Sequence, residues 1–167
     1  MLEVACGIGR VSQALFKPLV KEIHLLELNS SYLEKAISFV DSLKVTRRFC
    51  CSMEDFGRDE HNRVGVGKYK LIWVQWAIIY LNDFDFIQFL KKCRKCLKEK
   101  GMVVVKDNVA SEGFFVDRED MSILRCRSYM KELFGEGGFV VVKEGELEGF
   151  PEGMFETVAF ALAPTYG

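Results

Sequence analysis

The sequence has 167 residues, 49% of them hydrophobic and 28% charged. That is the length of one domain with enough apolar side chain for a packed core, read here as a single unit over residues 1–167. It excludes a disordered, collagen-like or low-complexity chain. Twenty-three basic residues against 24 acidic leave a net charge of −1, which disfavours a strongly basic nucleic-acid module. No apolar, uncharged run reaches about 18 residues, so no helix is expected to cross a membrane.

In chain order, strand and helix alternate. Residues 2–5 form a short apolar run that meets a glycine turn at Gly7 and Gly9, and residues 11–20 read as a helix. Residues 22–28 (EIHLLEL) read as a strand. The spacing Ser31 to Glu34 reads as a capping box opening the next helix, with Leu33, Ala36, Ile37 and Val40 on its inner face. Residues 45–51 form a third strand, followed by a polar segment up to Lys68. The run YKLIWVQ (69–75) has the apolar character of a strand buried on both faces. A helix over about 84–98 leads through Gly101 into MVVVKDN, another buried strand. Residues 117–134 read as helical. FVVVKEG and MFETVAFAL close the chain as two strands, joined by a loop holding Gly145, Gly149, Pro151 and Gly153. Repeated β-α units with a terminal β-β pair predict a doubly wound α/β sheet, mostly parallel and seven-stranded, with one antiparallel strand at the end. Ligands of such sheets collect at the carboxyl ends of the strands.

The six cysteines are Cys6, Cys50, Cys51, Cys93, Cys96 and Cys126. They sit in apolar runs with no secretory signal before them, which favours reduced, mostly buried thiols and a cytosolic or nuclear setting. Cys93 and Cys96 have CxxC spacing, but Phe86, Leu90, Cys93 and Leu97 fall at helical intervals. The thiols therefore read as part of a core stripe, and no metal site is expected.

The segment Glu3-Val-Ala-Cys-Gly-Ile-Gly-Arg10 joins the first strand to the first helix, where small residues admit a ligand to the backbone. The next strand ends in Glu27, placed to accept both hydroxyls of an adenosine ribose. A nicotinamide dinucleotide would use the same two features, but its fingerprint wants a third glycine where Ser12 stands. S-adenosylmethionine has no pyrophosphate and makes no such demand. With the terminal β-β pair, the balance favours a methyltransferase over a dehydrogenase.

Several further segments occur together: Phe49-Cys-Cys51, Glu54-Asp-Phe56, Ile72-Trp-Val-Gln-Trp76, Lys106-Asp-Asn108 and Glu112-Gly113. With them the chain resembles the eukaryotic alpha-N-terminal protein methyltransferases, in register from residue 2 to about 162. The resemblance implies a Rossmann-like class I fold and S-adenosylmethionine as cofactor, with S-adenosylhomocysteine as product. It implies as partners protein tails beginning X-Pro-Lys or X-Pro-Arg, and neither nucleic acid nor membrane. Cofactor contacts would fall on Ala5, Gly7 and Arg10, on Glu27, Leu28 and Asn29, on Met53 and Glu54, and on Gln75. Core packing is an equal reading for Met53, and an exposed acid such as Glu54 needs no function. Ala5 replaces the family's glycine and should be tolerated if its φ stays negative. Glu27 replaces the more usual Asp.

By the same resemblance, Trp76 offers a flat apolar face to the second-position proline, and Asn108 donates to a peptide carbonyl. Asp117 and Ser122 would hold the third-position cation. Asp120 would be the base or the group that orients the amine. Tyr80 stands where the family has a His. A phenol is a poor base at neutral pH, so Asp120 would act alone while Tyr80 shapes the pocket. The resemblance also implies a helical segment before the first strand, and the chain is expected to lack it because its sequence opens almost at that strand. Two other readings stay open: a cofactor- or tail-binding module without turnover, and a methyltransferase acting on a small amine.

Overall fold

The computed structural model describes residues 1–57, 66–149 and 153–165. Nine strands and three α-helices follow one another as β1 (Leu2–Val4), β2 (Ile23–Glu27), α1 (Ser30–Val40), β3 (Val45–Cys50), β4 (Tyr69–Gln75), α2 (Asp83–Cys96), β5 (Leu97–Ala110), β6 (Phe114–Val116), β7 (Ile123–Cys126), α3 (Arg127–Glu136), β8 (Phe139–Leu147) and β9 (Glu156–Pro164). The spine of the sheet is β3-β2-β1-β4-β5, all parallel. β9 then pairs antiparallel to β5, and β8 antiparallel to β9. These seven strands are the doubly wound sheet the sequence predicts. The correction is an added hairpin: β6 and β7 pair antiparallel, and β7 joins the far end of β5 through Val109 and Ala110.

The core lies on both sheet faces. Ile23 and Leu25 of β2 point with Phe16, Leu33, Ala36 and Val40 into one cluster. Leu26 points the other way, into a larger cluster with Ile72, Val103, Phe86, Phe89 and Phe134. Alternate residues of one strand thus bury into opposite layers, which is why β1, β2 and β4 read as largely apolar runs. On α2, Phe86, Phe89, Leu90, Cys93 and Cys96 are all buried along one stripe. The CxxC pair therefore belongs to the core. Among the described residues no three His, Cys, Asp or Glu side chains converge as metal ligands. His24 is buried, with Nδ1 2.7 Å from the Tyr69 hydroxyl and Nε2 3.0 Å from Glu22; His61 lies outside the described residues. All six cysteines are free, and Cys50 is the exposed one. No described helix is long and apolar enough to cross a membrane.

Four local expectations are corrected. Residues 11–20 form no regular α-helix. The chain makes a wide turn over Ser12–Phe16, closed by the Lys17 amide on the Ser12 carbonyl at 2.7 Å, and Pro18 follows at once. The capping residue of α1 is Asn29, whose Oδ1 accepts from the Ser31 and Tyr32 amides; the Ser31–Glu34 spacing lies inside the first turn. Residues 117–134 are not one helix, because the acids at 117–120 sit in the β6–β7 turn and α3 starts at Arg127. In the last loop, β8 continues through Gly145 to Leu147, and Pro151 lies outside the described residues.

Gly9 shows why the first turn needs its second glycine. Its φ is +82°, and a Cβ there would stand 2.7 Å from Val40 Cγ2 and 3.1 Å from Ala36 Cβ. The turn is pressed against α1, and any side chain at this position would have to displace the helix.

Candidate functional site

A cleft of about 1050 Å³ opens at the carboxyl ends of β1, β4 and β5, beside the facing parts of β8 and β9. Five of the predicted residues line it: Ala5, Gly7, Arg10, Gln75 and Trp76. Glu27 is held at its edge. The Gly7 amide donates to Glu27 Oε2 and the Asn29 amide to Oε1, each at 2.9 Å. One carboxylate thus ties the glycine turn to the start of α1. Each oxygen keeps a second lone pair, so two acceptor positions remain for a ribose.

The rest of the cofactor set is not in the cleft lining. Leu28 is exposed, and Asn29 uses its side chain to cap α1. Met53 is buried in the larger core cluster. Glu54 offers its carbonyl to Lys92 Nζ at 2.6 Å.

The Ala5 expectation is corrected: its φ is +52°, not negative. An L-residue in this region carries strain of about 1 kcal/mol. Ala5→Gly should therefore stabilise the fold by a few tenths to about 1 kcal/mol, after allowing for the looser unfolded chain. It should also tighten S-adenosylhomocysteine by removing a methyl from the cleft. Urea unfolding and calorimetric titration test both; a lower midpoint would contradict the strain argument.

Three residues that the sequence reading did not assign are built into this cleft. Trp73 Nε1 donates to Gln75 Oε1 at 3.2 Å, and its ring meets Phe16 edge-on at 5.2 Å between centroids. With its carbonyl taken, Gln75 presents an amide donor to the cleft. Period-two alternation on β4 was the available signal, since residues 73 and 75 share a face. Tyr32, in the first turn of α1, lines the same cleft.

Glu3 is the third. It is 3% exposed and accepts a hydrogen bond from the Ser12 hydroxyl. Burial, outweighing that bond, pushes its carboxyl up to about 7 from an ordinary 4.5. An acid with a raised folded pKa holds its proton in the folded state while the unfolded state has lost it. Stability from this group is therefore highest below about 4.5 and declines until about 7. Integrated over that window, the loss is about 3 kcal/mol. Glu3→Gln should flatten the fall in stability between pH 5 and pH 8, as read by urea unfolding at several pH values.

The catalytic half of the prediction forms a second group, joined to the cleft through β4 and β5. Asp107 is fully buried, and its Oδ2 accepts from the Ala77 and Ile78 amides at 2.9 and 3.0 Å. Those bonds hold the turn after β4, in which Trp76 has φ +49°. Burial lifts the Asp107 carboxyl to about 6 in spite of its amide donors. Trp76 is half exposed in the cleft, with Lys106 Nζ 5.0 Å from its ring centroid.

The same turn carries Tyr80 toward the β6–β7 hairpin, where its hydroxyl lies 3.4 Å from Asp120 Oδ2. Hydrogen bonds from the Ser122 side chain and amide, and from Tyr80, hold Asp120 below the usual carboxylate range. Burial and Asp120 together raise the Tyr80 phenol. Ser122 is buried beneath Asp120, and its carbonyl accepts from the Asp117 amide at 2.9 Å. Asn108 sits within β5 rather than in a turn, and its Oδ1 accepts from the Thr157 hydroxyl at 2.8 Å.

The hairpin is fixed by Arg125, which is 1% exposed. Its guanidinium donates to the Leu81 carbonyl and to Asp83 Oδ1, both at 2.7 Å, and lies over the Phe86 ring at 5.6 Å. Tyr129 donates to the other oxygen of Asp83. This buried fork joins β7 to the segment just after Tyr80, and so sets how Tyr80 meets Asp120.

The sheet order and the glycine turn define a Rossmann-like, S-adenosylmethionine-dependent methyltransferase fold. Solved structures agree. A SAM-dependent methyltransferase of Leishmania major superposes with a TM-score of 0.88 at 34% identity, covering 97% of this chain and 63% of that one. A Burkholderia thailandensis N-methyltransferase with bound S-adenosylhomocysteine shares the fold at 12% identity and a TM-score of 0.79, covering 99% of this chain and 70% of that one. The family profile described as AdoMet-dependent proline di-methyltransferase matches residues 1–163, and the chain belongs to that family. It is 34% identical to a zebrafish (Danio rerio) N-terminal Xaa-Pro-Lys N-methyltransferase 1, over 96% of this chain and 70% of that relative. It is 37% identical to an alpha N-terminal protein methyltransferase 1 of Dictyostelium discoideum, over 96% of this chain and 58% of that relative.

Proposed function

We propose that the chain transfers a methyl group from S-adenosylmethionine to the free α-amine of protein tails beginning X-Pro-Lys or X-Pro-Arg. The observation that carries this reading is the meeting of Gln75 and Trp76 with the glycine turn in one cleft, with Tyr80, on the turn that follows Trp76, paired to Asp120. The residues suit the cofactor. The cleft takes a molecule of this size, needs no phosphate cradle, and has the Glu27 carboxylate at its edge with acceptor positions for a ribose. Gln75 would donate to an acceptor on it. When bound, the cofactor supplies an electrophilic methyl on a sulfonium.

The protein's own work is then to hold a neutral amine in line. A free α-amine has a pKa of about 7.7–8.0, so presenting it neutral at pH 7 costs only about 1 kcal/mol. Asp120, kept well ionised by Ser122, is a weak base. Its chemistry fits accepting an N–H of the neutral amine better than removing the proton, which water can take. Tyr80 remains a phenol and steadies the carboxylate. One face of Trp76 is covered by Lys106, which leaves the other for the proline ring. With Oδ1 engaged by Thr157, Asn108 keeps its amide N–H groups for a peptide carbonyl. Asp117 supplies charge for the third-position Lys or Arg. Most of the rate comes from positioning. Free, mostly buried thiols support a cytosolic or nuclear setting.

The test is mass spectrometry of a Ser-Pro-Lys peptide incubated with chain and cofactor. One or more methyl increments are expected on the free peptide and none on its N-acetylated form. Modification of both, or of neither, overturns the reading.

A further inference from the structure

At the amino ends of β4 and β5, the edge of the sheet opposite the cleft, the surface is strongly cationic. Residues 91–100 hold Lys91, Lys92, Arg94, Lys95, Lys98 and Lys100 against the one acid Glu99. Lys68 and Lys70 are brought beside them, because the Lys68 amide donates to the Cys96 carbonyl at 2.7 Å and Tyr69 pairs with Leu97. All but Lys92 are exposed. Lys92 bonds the Glu54 carbonyl and Arg94 the Thr165 carbonyl, but no described ion pair neutralises any of the eight cations. On a chain of net charge −1 this is a pronounced asymmetry. Arg94 and Lys95 in the last turn of α2 complement its dipole, but that does not account for Lys91 or for the strand lysines.

The patch also has shape. A groove of about 800 Å³ runs along it, with buried Leu97 and part-buried Pro164 as an apolar floor, exposed Val66 at its side, and Lys91, Arg94 and Lys95 with the single acid Glu99 around its rim. Among the described residues no aromatic side chain lines it, so those residues offer nothing on which a base could stack. A phosphate backbone would have no use for an apolar floor. An acidic polypeptide segment carrying an aliphatic side chain matches both the rim and the floor.

We propose that this groove is a second binding site for an acidic segment of the same protein whose N-terminus enters the cleft. The proposal rests on the reading that the substrate is a protein tail. β4 alone, seven residues long, separates the two edges by roughly 23 Å at about 3.3 Å per residue. An extended peptide covers that distance in about seven residues, and more are needed to pass around the surface. The acidic segment therefore lies about ten or more residues beyond the methylated end. Binding there raises the effective concentration of the tail at the cleft without touching the chemistry.

The test has two parts, both at physiological salt. In fluorescence anisotropy, a labelled twelve-residue peptide of Glu, Asp and Leu should bind the chain. The double variant Lys91→Glu, Lys95→Glu should weaken it at least tenfold, and replacing Leu by Ser in the peptide at least threefold. No binding, no loss in the variant, no effect of Leu, or tighter binding of a duplex DNA of equal charge would each overturn the site. In steady-state kinetics, Ser-Pro-Lys joined through a neutral twelve-residue spacer to an acidic block should show a KM about tenfold below that of a neutral-block control, at equal kcat. The double variant should abolish the difference while methylating the short peptide normally. Equal KM values overturn the link to substrate. Failure to methylate even the short peptide overturns the proposed reaction, while the anisotropy result still decides the groove.

Discussion

Arg125→Ala should lower stability by about 3 kcal/mol, an effect on the order of 10 °C in Tm for a chain of this size. The buried guanidinium makes two strong hydrogen bonds, to the Leu81 carbonyl and Asp83, and packs over Phe86. Its loss leaves the carbonyl without that donor and a void beneath the hairpin. Asp83 is partly exposed and keeps Tyr129, so its charge is not stranded, which sets the figure at the lower end for a broken buried pair. Arg125→Lys keeps the charge but not the fork and should recover at most half of the loss. Because Arg125 sets the hairpin against the Tyr80 turn, kcat for the peptide should fall more than affinity for S-adenosylhomocysteine. Thermal unfolding together with cofactor titration checks both. An Arg125→Ala protein with unchanged Tm would show that the fork contributes little.

Asp120→Asn should reduce kcat/KM for the Ser-Pro-Lys peptide on the order of 100-fold, and Tyr80→Phe less than tenfold. The asymmetry follows from the pair's geometry. Asp120 faces solvent on the hairpin turn and in the proposed site would accept from the amine, whereas Tyr80 bonds Asp120 and would act through it. The pH profile separates the two roles open to Asp120. If it orients a neutral amine, activity rises with pH through the amine's own pKa, near 8, in wild type and Asn variant alike. If it removes the proton, the variant should lose the neutral-pH limb selectively. Equal losses in the two variants would move the central role to the pair as a unit.

The parallel spine was legible chiefly from β1, β2, β4 and the MVVV stretch of β5, which are largely apolar, whereas β3 (VTRRFC) is mostly exposed. Glu27 and Gln75 end β2 and β4, and the glycine turn follows β1, at the strand ends where ligands of such sheets collect. The hairpin was not legible. Asp117-Arg-Glu-Asp120 has the charge pattern of a helix start, and only the pairing of Phe114–Val116 with Ile123–Cys126 turns the acids into a loop. Arg125 was invisible for a related reason. An arginine is read by default as a surface residue, and its partners Leu81 and Asp83 lie more than 40 residues away. Ala5 failed differently: its identity suggested an ordinary backbone, while the turn imposes the conformation of the glycine it replaces. Asp107 appeared in the sequence as part of a motif, but its work on the turn that carries Trp76 is a tertiary fact.

β5 pairs with β4 on one side, with β9 on the other and with β7 at its far end. It is the axle of the sheet, and one of its two long partners comes from the last part of the described chain. During synthesis, the ribosome releases β1 to β5 well before residues 156–164 exist, so one flank of the axle waits open. Its unpaired amides and the apolar side chains of Val103, Val105 and Val109 are meanwhile exposed. β9 lies between β5 and β8, so its pairing with β5 has to wait for a strand made late in the described chain, a contact pattern of high sequence separation. In the nascent protein that open flank, rather than either finished edge, is where aggregation or chaperone capture would begin.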